Sequence, residues 1–111
     1  MNNDTMKNYK FLEEMYSDGY FPDFLVDKIK LILIELCENI ESEKPQNNEA
    51  LLILTHAATD KINDLEDEFE DNESELETGA RESMADSFEY IVKAYGFSDV
   101  DIENVIATRD W

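Results

Sequence analysis

The sequence is poor in the residues that interrupt helices, with three glycines and two prolines among 111 residues. Glycine supplies the positive φ angles of tight turns, and proline removes a backbone donor, so both types mark the ends of regular elements. Because so few of them occur, few tight turns are expected along the chain. The composition therefore indicates a small number of long helical segments.

Cysteine and histidine are each present once, as Cys37 and His56. A single thiol excludes an internal disulfide, and the cytoplasm is the expected compartment. One histidine and one cysteine give poor support to a transition-metal site. His56 and Asp60 are four residues apart on a predicted helix, which leaves a metal-dependent enzyme as a distant alternative. No other feature is a catalytic motif, so we expect no enzyme, no catalytic or metal-binding residues and no cofactor.

Basic residues are also scarce: 9 Lys and Arg stand against 28 Asp and Glu, for a net charge of −19. Nucleic acids and anionic membranes bind basic patches, so neither is expected as a direct partner. The longest apolar run, LILIELC, contains Glu35 and is too short to span a bilayer. The amino terminus lacks the apolar run of a signal peptide. A partner held by charge should be basic, and we expect a monomer or a 1:1 heterodimer with it.

Apolar residues recur at helical spacing along the chain. A first short helix is predicted to end at Gly19, and a second to run from Pro22 to just before Pro45. Between Phe24 and Cys37 the second helix is apolar nearly all round, which predicts that it lies at the centre of the core.

A third helix is predicted to begin near Asn48 and to continue without a break through Phe69. Its inner face would consist of Leu51, Leu54, Ala58, Ile62, Leu65 and Phe69. Residues 74–77 read SELE, which has the S-x-x-E form of a capping box and predicts that a fourth helix opens at Ser74. That helix should end at Gly96, and the stretch SDVD at residues 98–101 should cap a short last helix.

The predicted fold class is all-α. Hydrophobic residues make up 42% of the chain, which argues against wholesale disorder despite the charge. We expect a single-domain bundle of four to five helices over residues 1–111, with residues 1–7 disordered.

Residues 63–77, NDLEDEFEDNESELE, contain nine acidic residues and no basic one. An EF-hand loop that starts at Asp64 would need glycine at its sixth position, where Phe69 stands. Specific calcium binding is therefore not expected. Glu75 and Glu77 would lie in the first turn of the fourth helix, where the helix dipole favours negative charge.

Four aspartates lack such a local reason. On a continuous third helix, they recur at i, i+4, i+7 and i+11, opposite the buried side: Asp60, Asp64, Asp67 and Asp71. Like charges one turn apart cost about 0.2–0.5 kcal/mol per pair. Asp67 and Asp71 would also lie near the helix C-terminus, where the dipole disfavours them. The stripe is either a solvated face or a docking surface for lysines and arginines of a partner.

Several stretches resemble a family of small acidic bacterial proteins of unknown function. They are YSDGYFPDFLVDK (16–28), LTHAAT (54–59), KAYGF (93–97) and the terminal RDW (109–111). The resemblance spans residues 9–111, implies a bacterial cytoplasmic protein and supplies no catalytic residues. By class alone, the size, acidity and helical content are similar to immunity proteins of nuclease toxins, of the bacteriocin and contact-dependent inhibition types.

Together these features favour an immunity protein that neutralises a basic toxin, a nuclease above all, by covering its nucleic-acid-binding active site with an acidic helix face. Neighbouring apolar or aromatic residues would supply a desolvated anchor. The predicted partner-binding residues are Asp60, Asp64, Asp67, Glu68, Asp71, His56 and Tyr20. The alternative is an acidic structural or adaptor module without a toxin partner.

Overall fold

A computed structural model describes residues 2–111. Its helices are α1 (Asp4–Lys7), α2 (Glu13–Ser17), α3 (Asp23–Glu43), α4 (Asn48–Asn63), α5 (Glu66–Asp71), α6 (Thr78–Ala94) and α7 (Ile102–Val105). Three of these are long, α3, α4 and α6, and no strand occurs within residues 2–111. The all-α prediction is confirmed. The described buried apolar side chains form one cluster, to which all seven helices contribute.

Helix α3 begins directly after Pro22, whose fixed φ suits a helix start, and ends at Lys44, which is left-handed at φ 50° before Pro45. The buried side of α3 comprises Leu25, Val26, Ile29, Leu33, Leu36, Cys37 and Ile40. Cys37 is a core residue, as predicted, and burial raises the pKa of its thiol to about 12.

Helix α3 supplies seven buried residues to the core, but it is not covered on every side. Phe24 is 51% exposed and Leu31 is 65% exposed. Both residues lie on the same face of the helix as Lys28 and Glu35 because the four positions are separated by whole turns. These charged side chains face solvent, so α3 has one open face.

Helix α4 begins as predicted, with Asn47 accepting a hydrogen bond from the Ala50 N–H at 2.8 Å. It ends at Asn63, however, and not at Phe69. The Leu65 N–H donates to the Ile62 carbonyl only three residues back, at 2.9 Å, which is a tighter turn than an α-helix makes. The continuous third helix is therefore divided into α4 and α5.

Contacts of Asn63 with the end of the chain give this break a physical reason. Its side chain donates to the Thr108 carbonyl at 3.0 Å and accepts from the Asp110 N–H at 2.8 Å. Both bonds hold the C-terminal segment against the last residue of α4. The helix therefore ends where the C-terminal segment packs against it.

Helix α6 begins at Thr78, so the predicted capping box at Ser74 is wrong. Ser74 is buried, and its hydroxyl donates to the Tyr20 carbonyl at 3.3 Å rather than accepting from a helix N–H. The chain reverses before it at Glu73, which is left-handed at φ 59°. Glu77 is the N-cap residue and Glu75 precedes it, so the first turn of α6 contains no acidic residue.

The C-terminal end of α6 and the start of α7 match the prediction. Gly96 follows α6 with φ +93°, a conformation that favours glycine, and the Phe97 N–H donates to the Val92 carbonyl at 2.8 Å. Asp101 caps α7 by accepting from the Glu103 N–H at 2.9 Å. No helix within residues 2–111 is long and apolar enough to cross a membrane.

The segment of residues 1–7, for which the sequence predicts disorder, includes α1; Met1 lies outside the described residues. Met6 is buried at 1% exposure. The Glu41 carboxylate accepts from the Asn2 N–H at 2.8 Å and from the Asn3 N–H at 3.2 Å, and the Tyr95 hydroxyl also donates to it. One carboxylate of α3 therefore contacts both the N-terminal segment and the end of α6.

Replacing Phe69 should test how α5 is held. Phe69 is 0% exposed, and Phe69→Ala should lower the free energy of unfolding by about 3–5 kcal/mol because it removes buried contacts and leaves a cavity. The matched control is Phe24→Ala on the open face of α3, where a surface change of about 0.5 kcal/mol is expected. Urea unfolding followed by far-UV circular dichroism measures both. Equal losses in the two variants would contradict the assigned packing.

Replacing Glu41 should change how stability depends on pH. Burial acts to raise the pKa of Glu41, but hydrogen bonds from Tyr95 and from the Asn2 and Asn3 backbones outweigh it and lower the pKa below 4.5. A carboxyl with a lowered pKa stabilises the fold above its unfolded pKa, and this contribution is lost as pH falls through the folded pKa.

The expected result is that Glu41→Gln destabilises the protein at pH 7 and that wild type and variant converge at lower pH. The unfolding free energy measured between pH 7 and pH 3 gives the difference. Glu38→Gln, an exposed change on the same helix, is the control and should show no such convergence. A difference that does not depend on pH would rule out the proposed role of the Glu41 carboxylate.

Candidate functional site

Two ion pairs set α3 beside the segment formed by α4 and α5. Lys61 on α4 pairs with Glu35, and Glu68 on α5 pairs with Lys28. From the first pair to the second, α3 runs backward in sequence while the α4–α5 segment runs forward, so the two are antiparallel. Both pairs are substantially exposed, so each contributes only about 0–1 kcal/mol, and they define alignment more than stability.

The four predicted aspartates are all exposed. Asp60 and Asp64 lie one turn apart at the end of α4, and Asp67 and Asp71 lie one turn apart on α5. The helix break therefore gives two pairs of aspartates instead of one continuous stripe. Asp67 lies in the first turn of α5, so its expected position near a helix C-terminus is also wrong.

We call Asp60, Asp64, Asp67 and Asp71 the aspartate surface. Among residues 2–111, none of its carboxylates forms an ion pair or a side-chain hydrogen bond. The nearby lysines, Lys28 and Lys61, pair with glutamates. The aspartates are therefore left without internal counterions in the described part of the chain.

Exposed apolar side chains adjoin the aspartate surface. Leu31 lies on the open face of α3, between the two positions whose side chains pair with α4 and α5. Ile53 is 72% exposed and lies two turns before Asp60 on the same face of α4. Phe24 is one turn before Lys28 on the open face of α3. The region thus combines exposed carboxylates with large exposed apolar side chains.

His56 has an internal partner. Its Nε2 donates to the Asn104 carbonyl at 2.7 Å, and because a carbonyl can only accept, this nitrogen carries the proton. The Thr108 hydroxyl donates to the His56 carbonyl at 3.5 Å. His56 therefore fastens the C-terminal segment to α4, and the structure shows no hydrogen bond between its ring and Asp60. Residues 2–111 contain no group of three or more side chains placed to hold a metal ion.

The other two predicted partner-binding residues, Glu68 and Tyr20, differ in whether the side chain already has an internal partner. Glu68 is half-buried and paired with Lys28, so the structure uses it to join α5 to α3. Tyr20 is 43% exposed, and its ring packs edge-on against Phe21 with 5.1 Å between centroids. Its carbonyl accepts from Ser74, just beyond α5. The turn that carries Tyr20 is thereby held near the C-terminal end of α5.

Sequence reasoning missed a cleft on another side of α5, with a volume of about 240 Å³. It is lined by Glu66, Glu70, Glu75, Leu76, Arg81, Asp110 and Trp111. Burial raises the pKa of Glu66, and the negative charges of Asp110, Glu70 and Asp67 raise it further against the opposing effect of Arg81. Trp111 is 40 residues or more from α5 in sequence, so no local pattern could place it beside that helix.

Comparison with known protein families matches residues 5–111 of this chain to a group described as "Family of unknown function (DUF5713)". The match covers nearly the whole chain. The chain belongs to the DUF5713 family. No curated protein and no solved structure matches it. The resemblance to a family of unknown function is therefore confirmed, and the family description assigns no chemistry to the aspartate surface or to the cleft of this DUF5713 chain.

Neutralising Glu66 should stabilise this DUF5713 protein. Because its folded pKa is raised, ionisation of Glu66 opposes folding; the penalty is absent below the unfolded pKa and grows as pH rises through the folded pKa. Glu66→Gln should therefore increase the free energy of unfolding at pH 7, and the gain should shrink as pH falls toward 4. Urea unfolding at a series of pH values measures it.

Glu73→Gln is the control for this prediction. Glu73 is exposed, carries the same charge and lies just beyond α5 outside the cleft. A loss of stability in Glu66→Gln at neutral pH would contradict the assigned electrostatics of the cleft.

Proposed function

We propose that this protein is an immunity protein, which binds a basic toxin in a 1:1 complex and neutralises it. The toxin class that fits best is a nuclease, and the bound immunity protein would cover its nucleic-acid-binding active site. The observation that carries the proposal is the aspartate surface, four exposed carboxylates without internal counterions beside exposed apolar side chains.

The placement of these charges is costly for the isolated chain. Asp60 lies in the last turn of α4 and Asp64 is its C-cap residue, where the helix dipole disfavours negative charge, and the like-charged pairs one turn apart repel each other. Lysines and arginines of a partner would relieve both effects. A surface needed only for solubility could alternate glutamate with lysine and avoid this cost.

A nuclease supplies the complementary surface. Enzymes that bind nucleic acids present lysine and arginine to the phosphates, so their active-site clefts are basic. Carboxylates in place of phosphates steer association with such a cleft and can raise the on-rate by about 10- to 1000-fold. Leu31, Ile53 and Phe24 provide apolar area that a partner can desolvate, which is where interface energy concentrates.

The test is coexpression with the protein that the open reading frame directly upstream of this gene encodes; the proposal requires that protein to be basic. If that protein arrests growth, the wild-type chain should restore growth. Reversing Asp60, Asp64, Asp67 and Asp71 together to lysine should abolish the rescue. The purified variant should associate with the toxin about 10- to 1000-fold more slowly than the wild-type protein does. The affinity of the wild-type complex should fall steeply as the salt concentration rises.

The matched control reverses four exposed acids on α2 and α6, namely Glu13, Glu14, Glu82 and Asp86. It changes the net charge by the same amount and should keep the rescue. Equal loss in both variants would show that overall charge, and not the aspartate surface, is responsible. A wild-type chain that neither binds the upstream protein nor restores growth would favour the adaptor alternative.

A further inference from the structure

The cleft beside α5 is built from four parts of the chain, one of which is the segment between α5 and α6 that contributes Glu75 and Leu76. Glu66 and Glu70 lie one turn apart on α5, Arg81 comes from α6, and Asp110 and Trp111 come from the C-terminal segment. Its volume of about 240 Å³ is below the roughly 300–1,000 Å³ of sites for drug-sized ligands. The space therefore suits a single amino-acid side chain.

Two buried polar atoms at this cleft have no hydrogen-bond partner among the described residues. They are Trp111 Nε1, on a side chain that is only 7% exposed, and Glu66 Oε1. Buried polar groups are normally paired, and leaving one unpaired costs about 1–3 kcal/mol. One of these atoms is a donor and the other is an acceptor in the ionised carboxylate. A matching ligand therefore offers both an acceptor and a donor.

The charge of the lining selects a cation. Four carboxylates, those of Glu66, Glu70, Glu75 and Asp110, oppose the single guanidinium of Arg81. Arg109 lies 6.0 Å from the centroid of the Trp111 ring but pairs with Glu103, and it is not part of the lining. An arginine residue in a peptide meets every requirement, because its guanidinium donates to carboxylates in a fixed fork and its carbonyl can accept from the indole.

The cleft and the aspartate surface occupy adjacent sides of α5. Successive residues of an α-helix are about 100° apart, so Asp67 and Asp71 are displaced by about that angle from Glu66 and Glu70. One partner could therefore cover the aspartate surface and also reach the mouth of the cleft.

We propose that the cleft formed by Glu66, Glu70, Asp110 and Trp111 receives an arginine side chain of the basic partner. The identity of the donor rests on the proposed function. The recognition chemistry, an arginine residue held by carboxylates beside an indole N–H, can be tested without the partner.

Trp111 is the only tryptophan, so its fluorescence reports directly on the cleft. The probe is N-acetyl-arginine amide at low salt, and the comparison is N-acetyl-citrulline amide, which has nearly the same shape and no charge. The arginine compound should give a saturable fluorescence change, with an apparent Kd about tenfold or more below that of the citrulline compound. The double variant E66Q/E70Q should weaken arginine binding about tenfold or more as well.

The matched control is D67N/D71N, which removes equal charge from the neighbouring side of α5 and should weaken arginine binding less than E66Q/E70Q does, because these two carboxylates act on the cleft only through space. Circular dichroism checks that both variants are folded, and the single variant E70Q replaces the double variant if that one is not. A linear response to arginine, equal responses to arginine and citrulline, or equal losses in both variants would overturn the proposal.

The outcomes separate this inference from the proposed function. Saturable arginine binding without any toxin partner would support the cleft and leave the immunity role unsupported. Toxin neutralisation that depends on the aspartate surface, but is unchanged in E66Q/E70Q, would support the immunity role and reject the cleft.

Discussion

Burial of Phe69 holds the most acidic helix of the molecule against the core. Five of the six residues of α5 are acidic, and Phe69 is the exception. A helix of this length is not stable by itself in water, and its charges repel one another. Because Phe69 is fully buried, the hydrophobic effect fixes α5 at a defined place and orientation. The aspartate surface and the cleft both depend on that placement.

Once Phe69 points inward, the acids of α5 fall into three different surroundings. Glu68 turns toward α3 and pairs with Lys28, whereas Asp67 and Asp71 face outward without a counterion in the described chain. Glu66 and Glu70 line the cleft. A run that looks uniform in sequence thus contains an internal ion pair, an open surface and a partly buried cluster. The geometry of one short helix separates these roles.

The long helices could be predicted because their signals are local. Pro22, Asn47, Gly96 and Asp101 act on residues within a turn of themselves, and each of these ends is where the pattern indicated. The all-α class follows from the same periodicity. The inner faces were also mostly correct, since buried positions repeat with the helix.

The boundaries around α5 could not be predicted because distant contacts determine them. Asn63 bonds to Thr108 and Asp110, and Ser74 bonds to Tyr20. A local pattern contains no information about such pairs. The cleft was missed for the same reason, since it exists only where Trp111 meets α5. Of the predicted partner-binding residues, His56 and Glu68 proved to have internal bonds, whereas the aspartates did not.

Several features around α5 lower the stability of the isolated chain, and the proposed binding role gives them a common explanation. Aspartates at the C-terminal end of α4, a carboxyl of Glu66 with a raised pKa, and an unpaired indole N–H all occur in one region around α5. Each lowers the stability of the isolated chain, and solubility requires none of them. A basic partner would make each of these free-energy contributions favourable, because it would supply counterions to the aspartates and to Glu66 and a hydrogen-bond acceptor to the indole. If the proposed function holds, substitutions that relieve these terms should stabilise the free protein and weaken its complex with the partner, because natural binding sites commonly sacrifice stability for function.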